Sequence, residues 1–352
     1  MSHMPETVQE SAGHWQRDLA NAVRSADVLL ERLGLTAEQF QSAATGPHRS
    51  ALGPFASEET LRQFPVLVPE SFLRRMVNGD PSDPLLRQVL PLNEEDQAAD
   101  GFVPDAVGDL QARRGPGVLQ KYAGRVLLIT TGACAIHCRY CFRRDYPYVE
   151  EPRRLEEWSS SIALIAEDTS IHEVILSGGD PLMLNDGRLE TLCRQLDQID
   201  HIERIRFHTR LPIVLPSRVT DGLIRLLQSL RAQPVVVVHS NHASELMSDC
   251  AEAVKRLSRS GFPVLNQAVL LCGVNDTVES QAALSRRLLQ LGVIPYYLHQ
   301  LDRVSGTHHF EVAETDGLEI HRRLREILPG YGVPRYVREI PGRKSKTELP
   351  DE

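Results

Sequence analysis

The stretch Cys134-Ala-Ile-His-Cys138-Arg-Tyr-Cys141 places three cysteines within eight residues, separated by three and then two other residues. Half of the six cysteines of the chain therefore lie in one short segment, close enough to share a metal centre. A structural zinc site takes four ligands, usually as two separated pairs, and only three cysteines are present here. An iron–sulfur cluster of four irons normally has one thiolate per iron, so three thiolates would leave one iron open to a small-molecule chelator.

Two other interpretations of these cysteines stay open at this point. Free cysteine is often buried and inert, so the three thiols could be structural. A partial zinc site could instead be completed by His137, which lies between the first two cysteines.

Composition limits the class of protein and its partners. The 352 residues carry a net charge of −8, so we expect no nucleic-acid partner. No run of 18 apolar residues is present, and we expect no membrane span. Clustering of the cysteines does not suit a disulfide framework, which favours a reducing, cytoplasmic location. Residues 1–6 lack a basic region followed by an apolar core, so we expect no secretory signal.

Six short apolar runs have the length of β-strands: Val126–Thr130, Glu173–Ser177, Arg204–His208, Val235–His239, Val264–Val269 and Ile294–His299. Helical patterns lie between them, at residues 155–166, 187–198, 217–232, 244–260 and 277–291. Strands that alternate with helices at this spacing form βαβ units and a parallel sheet. We therefore predict an α/β fold built on a partial (β/α)6-type barrel over residues 113–330.

The regions on either side of the barrel are predicted to differ from it. Residues 1–112 are expected to be mainly helical, with helices at His14–Leu33, Pro69–Met76 and Leu85–Leu90. The acidic stretch Glu94–Asp105 has few large apolar side chains and is predicted to be a connector. Residues 331–352 form a C-terminal segment.

Polar motifs follow the predicted strands in turn. The cysteines come after the first strand, and Ser177-Gly-Gly-Asp-Pro181, His208-Thr-Arg210, His239-Ser-Asn-His242 and His299-Gln-Leu-Asp302 follow the second, third, fourth and sixth. In the fifth, Asn266-Gln267 lies within the strand and Asn275-Asp276 comes after it. Because the carboxyl ends of parallel strands meet at one end of a barrel, we expect these motifs to form one active site.

Two features near the cysteines suggest ligand binding. Gly178 and Gly179 would let the backbone approach a ligand closely, although a plain strand-to-helix turn is the alternative. Arg143 lies two residues after Cys141, and its guanidinium is a planar fork that suits a carboxylate. A solvated basic pair with Arg144 is the alternative there.

The C-terminal segment carries Lys346 close to Arg343 and Lys344. Neighbouring positive charges lower the pKa of a lysine and make its neutral amine available. Pyridoxal phosphate is held by such a lysine, whereas a solvated basic tail is the alternative.

The cysteine spacing resembles the CxxxCxxC signature of radical S-adenosylmethionine enzymes, in which S-adenosylmethionine chelates the open iron. Further stretches make the chain similar to the lysine 2,3-aminomutase family, and most like its short bacterial form: Asp83–Leu90, Lys121–Thr130, Ser177–Leu182, Tyr296–Asp302 and Ser345–Thr347. The similarity extends over about three quarters of the chain. It implies a 4Fe–4S cluster, S-adenosylmethionine and pyridoxal phosphate as cofactors.

The resemblance also implies roles for individual residues. The cluster ligands are Cys134, Cys138 and Cys141. The catalytic residue that holds pyridoxal phosphate is Lys346. Substrate contacts are Arg143 for the α-carboxylate and Asp302 and Glu339 for the ε-ammonium. Further cofactor contacts are Lys121, Tyr122, Arg125, Tyr140, Ser177, Gly178, Gly179, Asp180 and His208.

The implied reaction moves the α-nitrogen of L-lysine from C2 to C3 and gives β-lysine. The short form makes β-lysine for elongation factor P, which implies a functional link to that protein and its lysine ligase, and we expect a homo-oligomer. The long catabolic forms carry a C-terminal cysteine group that binds zinc, and no cysteine follows Cys272 here, so we expect no such site. They also have aspartate where Glu339 stands, and a glycine run where Pro341 and Arg343 stand.

Four alternative functions are considered, of which two are disfavoured. Catabolic production of free β-lysine and an arginine 2,3-aminomutase both suit two acids at the far end of the substrate. A glutamate enzyme is disfavoured because glutamate has no cation for Asp302 and Glu339. An electron-transfer iron–sulfur protein is disfavoured because it has no use for an open iron. In the aminomutase, Asp302→Ala should abolish lysine turnover while the cofactors stay bound.

Overall fold

The computed structural model describes residues 13–43, 55–152, 154 and 156–349. Residues 1–6, on which the expectation of no secretory signal rests, lie outside them. One ten-stranded sheet holds the strands in chain order. They are β1 Arg113–Gly115, β2 Val118–Tyr122, β3 Arg125–Thr131, β4 Glu173–Gly178, β5 Arg204–Thr209, β6 Gln233–His239, β7 Val264–Val269, β8 Ile294–His299, β9 Arg335–Arg338 and β10 Thr347–Glu348.

The α-helices occur before the sheet and between its parallel strands. They are α1 His14–Ala20, α2 Ala26–Arg32, α3 Ala37–Ala43, α4 Glu58–Gln63, α5 Glu70–Leu73, α6 Pro84–Arg87, α7 Ser159–Glu167, α8 Asp186–Asp197, α9 Leu211–Val214, α10 Asp221–Gln228, α11 Ser248–Ser258, α12 Val278–Gln290 and α13 Glu314–Ile327. Short 3-10 turns connect several of these elements.

The parallel core of the sheet runs from β3 to β9, and β1, β2 and β10 add antiparallel edges. All six predicted strands are confirmed within about two residues. The valines at 236–238 are buried, as a strand covered on both faces requires. The expectation of six parallel strands was too low by one, because β9 pairs with β8 in the C-terminal segment. The order does not close, which agrees with a partial barrel.

The predicted helix His14–Leu33 is wrong as one element. Helix α1 ends at Ala20, and Val23 then exchanges two backbone hydrogen bonds with Val68 before α2 begins. The apolar period continues across this break because Trp15, Leu29 and Leu30 all enter the core. A backbone pairing between two residues that are 45 positions apart leaves no local signal in the sequence.

The other two predicted N-terminal helices exist but are shorter than expected, at α5 and α6. Asp83 caps α6, since its carboxylate accepts hydrogen bonds from the backbone N–H groups of Leu85 and Leu86 at 2.8 Å each. In the described part of the chain, no helix is both long and apolar enough to cross a membrane. The boundaries at residues 112 and 330 stay predictions, since the sheet continues across the second of them.

Candidate active site

Side chains from the carboxyl ends of β3 to β8, together with the C-terminal segment, line one cavity of about 670 Å³. Every site residue predicted from the sequence lies on its wall. The alternation of strands and helices brings these residues together, because each parallel strand delivers its next loop to the same end of the barrel. Polar and charged residues that are spread over positions 109–346 in the sequence therefore line a single cavity.

The cysteine loop is held in place by the N-terminal region. The backbone N–H of His137 donates to the carbonyl of Leu67 at 3.1 Å, and that of Arg139 donates to the carbonyl of Gln88 at 2.9 Å. The Arg139 guanidinium, fully buried, pairs with the buried carboxylate of Glu95 at 2.5 Å. The connector predicted at residues 94–105 thus contributes a buried anchor, which its acidic composition did not indicate.

His137 does not complete a zinc site. Its Nδ1 lies 2.7 Å from the carbonyl oxygen of Pro65, and its ring stacks on Phe64 at a centroid distance of 4.9 Å. Among the residues that the structure describes, no group of three or more histidine, cysteine, aspartate or glutamate side chains is arranged to hold a single metal ion. The described residues therefore include no group of ligands in which His137 would complete a zinc site.

The three cysteines fit a cationic cluster. All three are free thiols on the cavity wall. Burial and the nearby Cys141 thiol raise the pKa of Cys134 well above its usual range, and burial and Cys138 raise the pKa of Cys141 to about 11. Thiols that oppose each other's ionisation in this way are stabilised as thiolates when a metal centre lies between them.

The two glycines after β4 are required by the neighbouring loop. Gly178 has φ +121°, and a Cβ there would lie 2.5 Å from the Thr131 carbonyl oxygen. A Cβ at Gly179 would lie 2.3 Å from the Ala133 carbonyl oxygen. These glycines therefore let the second loop pack directly against the cysteine loop.

The Asp180 carboxylate is occupied by the protein itself. Only 4% exposed, it accepts hydrogen bonds from the Thr209 hydroxyl at 2.8 Å and from the backbone N–H groups of Leu182 and Arg210 at 3.0 and 2.6 Å. Burial raises its pKa to about 6, against the effect of these hydrogen bonds. Asp180 therefore connects the loops after β4 and β5, and a direct cofactor contact stays a prediction.

Arg143 lies on the cavity wall with a partner that the sequence did not reveal. Its Nε donates to Asp109 Oδ2 at 2.5 Å, and one terminal nitrogen donates to the Ser177 hydroxyl at 3.1 Å. Lys121 Nζ lies 2.6 Å from the other carboxylate oxygen of Asp109. Although burial opposes it, the charges of Arg143 and Lys121 lower the pKa of Asp109 to about 2. One buried carboxylate thus holds two cations in place.

Glu339 makes a second cluster around the predicted cofactor lysine. The Tyr122 hydroxyl donates to Glu339 Oε1 at 2.6 Å, and Lys346 Nζ donates to Oε2 at 2.7 Å. Burial acts to raise the pKa of Glu339, but the charge and hydrogen bond of Lys346 hold it below its usual range. The Lys346 ammonium also lies 6.0 Å from the Tyr297 ring centroid.

Asp302 behaves differently from Glu339. Its carboxylate makes no hydrogen bond or ion pair with any residue in the described ranges. Burial raises its pKa to about 7, partly offset by the charge of Lys346. A half-buried carboxyl group that faces a cavity without a cation of its own is suited to receive one from a ligand.

Three histidines at strand ends contribute neutral imidazoles. Burial and the charge of Arg206 lower the pKa of His208 well below its usual range, and burial with Arg210 lowers that of His239 to about 3. Burial and Lys346 also lower the pKa of His299. The buried His208 Nε2 has no hydrogen-bond partner in the described structure, so it is free to meet a polar group in the cavity.

Tyr140 and Arg125 occupy the wall as expected. The Tyr140 hydroxyl accepts a hydrogen bond from Asn241 Nδ2 at 2.7 Å, which fixes its ring beside the cysteines. The Arg125 guanidinium lies 4.9 Å from the Tyr122 ring centroid. Its Nε is buried without a hydrogen-bond partner among the described residues, so it is available to donate a hydrogen bond to an anion.

The sequence of the chain is similar to those of known proteins. The Radical SAM superfamily matches residues 128–280. The chain is 42% identical to the L-lysine 2,3-aminomutase of Escherichia coli over 99% of its own length and 98% of that protein. The chain belongs to the L-lysine 2,3-aminomutase family. Its counterpart in Haemophilus influenzae is 38% identical, over 97% of both chains.

Longer members of the aminomutase family match less closely. The L-lysine 2,3-aminomutase of Clostridium subterminale is 31% identical over 95% of this chain and 77% of that protein. The aminomutase family uses a 4Fe–4S cluster, S-adenosylmethionine and pyridoxal phosphate, so the predicted cofactors are confirmed. The cysteine set, the unpartnered His208 and Arg125 nitrogens and the Lys346 amine on one wall suit these three groups.

Sequence reasoning missed several wall residues, above all Asp109, Arg210 and Asn241. Asp109 lies in a stretch without periodicity, and its partner Arg143 is 34 residues away. Arg210 and Asn241 lie in motifs that were recognised, but only the tertiary structure reveals their contacts. Their position directly after a strand was the one available signal.

Proposed function

We propose that the protein converts L-lysine to β-lysine. The observation that carries this proposal is the single cavity, on which the three cysteines, Lys346 and the carboxylates of Asp302 and Glu339 all lie. Two acids beside the cofactor lysine suit a substrate that ends in an ammonium group. The family membership supports the same reaction.

The binding residues divide between the two ends of the substrate. Arg143 would bind the α-carboxylate, since Asp109 and Ser177 hold its guanidinium and leave donors toward the cavity. Asp302 and Glu339 would bind the ε-ammonium. A site built to pair an ammonium rejects analogues that lack it, because its buried acids would then be left unpaired.

The cofactors would be held by side chains already on the wall. Cys134, Cys138 and Cys141 would hold the cluster, and Lys346 would hold pyridoxal phosphate. When bound, these groups and S-adenosylmethionine supply hydrogen-atom abstraction at the β-carbon and a carrier for the migrating nitrogen. The protein itself positions the substrate and excludes water, because the cavity is walled by buried side chains.

Anaerobic reconstitution with iron and sulfide tests the proposal directly. Protein supplied with pyridoxal phosphate, S-adenosylmethionine, a reductant and L-lysine should release β-lysine, identified by chromatography and mass spectrometry. Lys346→Ala should lose the visible absorbance of pyridoxal phosphate and all turnover while it keeps its iron. Lys344→Ala, two residues away and exposed, is the matched control and should retain both.

Alternative substrates form the second part of the same experiment. Arginine and glutamate are offered at equal concentration to lysine. Faster turnover of either one, or iron binding without any turnover, would refute the lysine assignment. The second result would favour the electron-transfer alternative.

We further propose that the β-lysine serves modification of elongation factor P through its lysine ligase. This rests on resemblance to the short bacterial form, whose full length the chain matches. Cells that lack the gene should contain elongation factor P without the mass of a β-lysyl group. An unchanged mass would indicate a catabolic role. A cytoplasmic homo-oligomer is part of the same proposal, tested by fractionation and light scattering.

A further inference from the structure

A buried arginine lies directly against one of the three cysteines. The Arg210 guanidinium, in a residue only 7% exposed, donates a hydrogen bond to Cys138 Sγ at 2.5 Å. Its planar group also lies beside the Tyr140 ring, at 5.6 Å from the centroid. A guanidinium is always charged, so the sulfur of Cys138 faces a permanent cation.

Arg210 is fixed from its backbone outward. Its N–H donates to Asp180 Oδ2 at 2.6 Å, which ties the loop after β5 to the loop after β4. At the far end of the side chain, the second terminal nitrogen donates to Gln88 Oε1 at 2.7 Å and to Glu245 Oε2 at 3.1 Å. The guanidinium is therefore held at both edges and cannot turn away from the sulfur.

The partners of Arg210 are themselves fixed and buried. Glu245, fully buried, accepts hydrogen bonds from Gln88 Nε2 at 3.1 Å and from the backbone N–H groups of Asn241 and His242 at 2.9 and 3.0 Å. Asn241 Nδ2 in turn donates to Gln88 Oε1 at 3.0 Å. Arg210 Nε is buried without a partner among the described residues, but both terminal nitrogens of the guanidinium are hydrogen-bonded, which favours one geometry.

The two terminal nitrogens of Arg210 have different partners. One donates to the Cys138 sulfur, and the other pairs with the carboxylate of Glu245. Such an arrangement places positive charge next to the ligand sulfur and the compensating negative charge further away.

We propose that Arg210 sets the reduction potential of the iron–sulfur cluster through its hydrogen bond to the Cys138 sulfur. Reduction adds one electron, supplied by an external one-electron reductant, and increases the negative charge on the cluster and its sulfur ligands. Hydrogen bonds and positive charge at those sulfurs stabilise the reduced form more than the oxidised form. Arg210 therefore raises the potential and makes the cluster easier to reduce. The inference rests on the cluster being bound by the three cysteines.

Redox titration of the reconstituted protein, followed by the electron paramagnetic resonance signal of the reduced cluster, tests the inference without turnover. Because Arg210→Met alone would leave Glu245 as a buried, unbalanced carboxylate, the double variant Arg210→Met/Glu245→Gln is the main test. We expect its midpoint potential to fall by an amount equal to at least a tenfold loss in the stability of the reduced form, about 59 mV for one electron. Arg210→Lys keeps the positive charge, so its midpoint potential should fall less.

Arg75→Met provides a matched control. Arg75 also packs on Phe72 and contacts Glu245, but through the backbone carbonyl oxygen of Glu245, and the cysteine it contacts is the distant Cys250 rather than one of the three cluster cysteines. It should leave the potential unchanged. Equal potentials in wild type and in both Arg210 variants, at equal iron content, would overturn the inference and leave the proposed function intact. Failure of the wild type to bind iron would overturn both.

Discussion

Replacing Asp302 with asparagine should weaken lysine binding and remove its dependence on pH near neutrality. The substitution keeps the size of the side chain and removes its charge. The carboxyl group is half-buried, has no cation of its own in the described structure, and has a pKa that is raised to about 7. The ammonium group of the substrate would provide the missing partner.

The size of the expected loss in lysine binding follows from the environment and the pKa of Asp302. A hydrogen bond to a charged group contributes about 1.5–3 kcal/mol, so Asp302→Asn should lower kcat/KM for lysine by roughly 10- to 100-fold. Only the ionised carboxylate pairs with an ammonium. With a pKa near 7, the ionised fraction is about nine tenths at pH 8 and about one tenth at pH 6, so wild-type affinity should fall roughly tenfold between them.

Calorimetric titration of lysine into protein loaded with pyridoxal phosphate, at several pH values between 6 and 8, measures both effects. Affinity should be highest above pH 7 in the wild type and nearly flat with pH in Asp302→Asn. Pyridoxal phosphate absorbance and iron content report whether the variant is intact. A wild-type affinity that does not change over this range would refute the assignment of Asp302 as the acceptor.

Three further predictions concern the support of the site. Asp109→Asn removes the ion pair that orients Arg143, so KM for lysine should rise about tenfold while iron and pyridoxal phosphate stay bound. Gly179→Ala places a Cβ 2.3 Å from a backbone carbonyl oxygen, and we expect loss of cluster binding, measured as iron content. Glu95→Gln leaves the fully buried Arg139 unpaired and should cost about 3–5 kcal/mol of unfolding free energy, measured by denaturant titration.

Each of these three predictions has a control variant or an outcome that would contradict it. Unchanged lysine kinetics in Asp109→Asn would mean that Ser177 alone orients the guanidinium. Gly330→Ala, where a Cβ would meet nothing within 4 Å, should retain full iron content. Glu319→Gln removes an exposed pair with Arg322 and should change stability by less than about 1 kcal/mol. Equal losses in the buried and exposed variants would contradict the argument from burial.

Much of the barrel was predictable because its signals are local. Each strand is a short apolar run, and each motif follows its strand directly, so the alternation alone places the residues from Cys134 to Asp302 at one end of the barrel. The strand β9 was missed because it is only four residues long and carries two arginines. Its two apolar residues, Tyr336 and Val337, lie between those arginines and are too few to form an apolar run.

Contacts between distant, aperiodic segments were not predictable. Glu95 lies in the acidic stretch predicted to be a connector, and Asp109 lies in a stretch without periodicity. Each is nevertheless buried against an arginine of the cysteine loop. Nothing in composition distinguishes a buried carboxylate from an exposed one until its partner is placed. For Arg143 too, the sequence indicates a carboxylate ligand but does not reveal the ion pair with Asp109.

The contact between Lys346 and Glu339 has a consequence for the order of assembly. In the cofactor-free chain, the ammonium of Lys346 is hydrogen-bonded to Glu339, the acid proposed to bind the ε-ammonium of the substrate. Lys346 therefore takes the place of the substrate ammonium. In the proposed holoprotein, Lys346 would hold pyridoxal phosphate and would no longer occupy Glu339. Apoprotein should therefore be unable to retain free lysine, and selectivity for the amino acid should arise only once the cofactor has been installed.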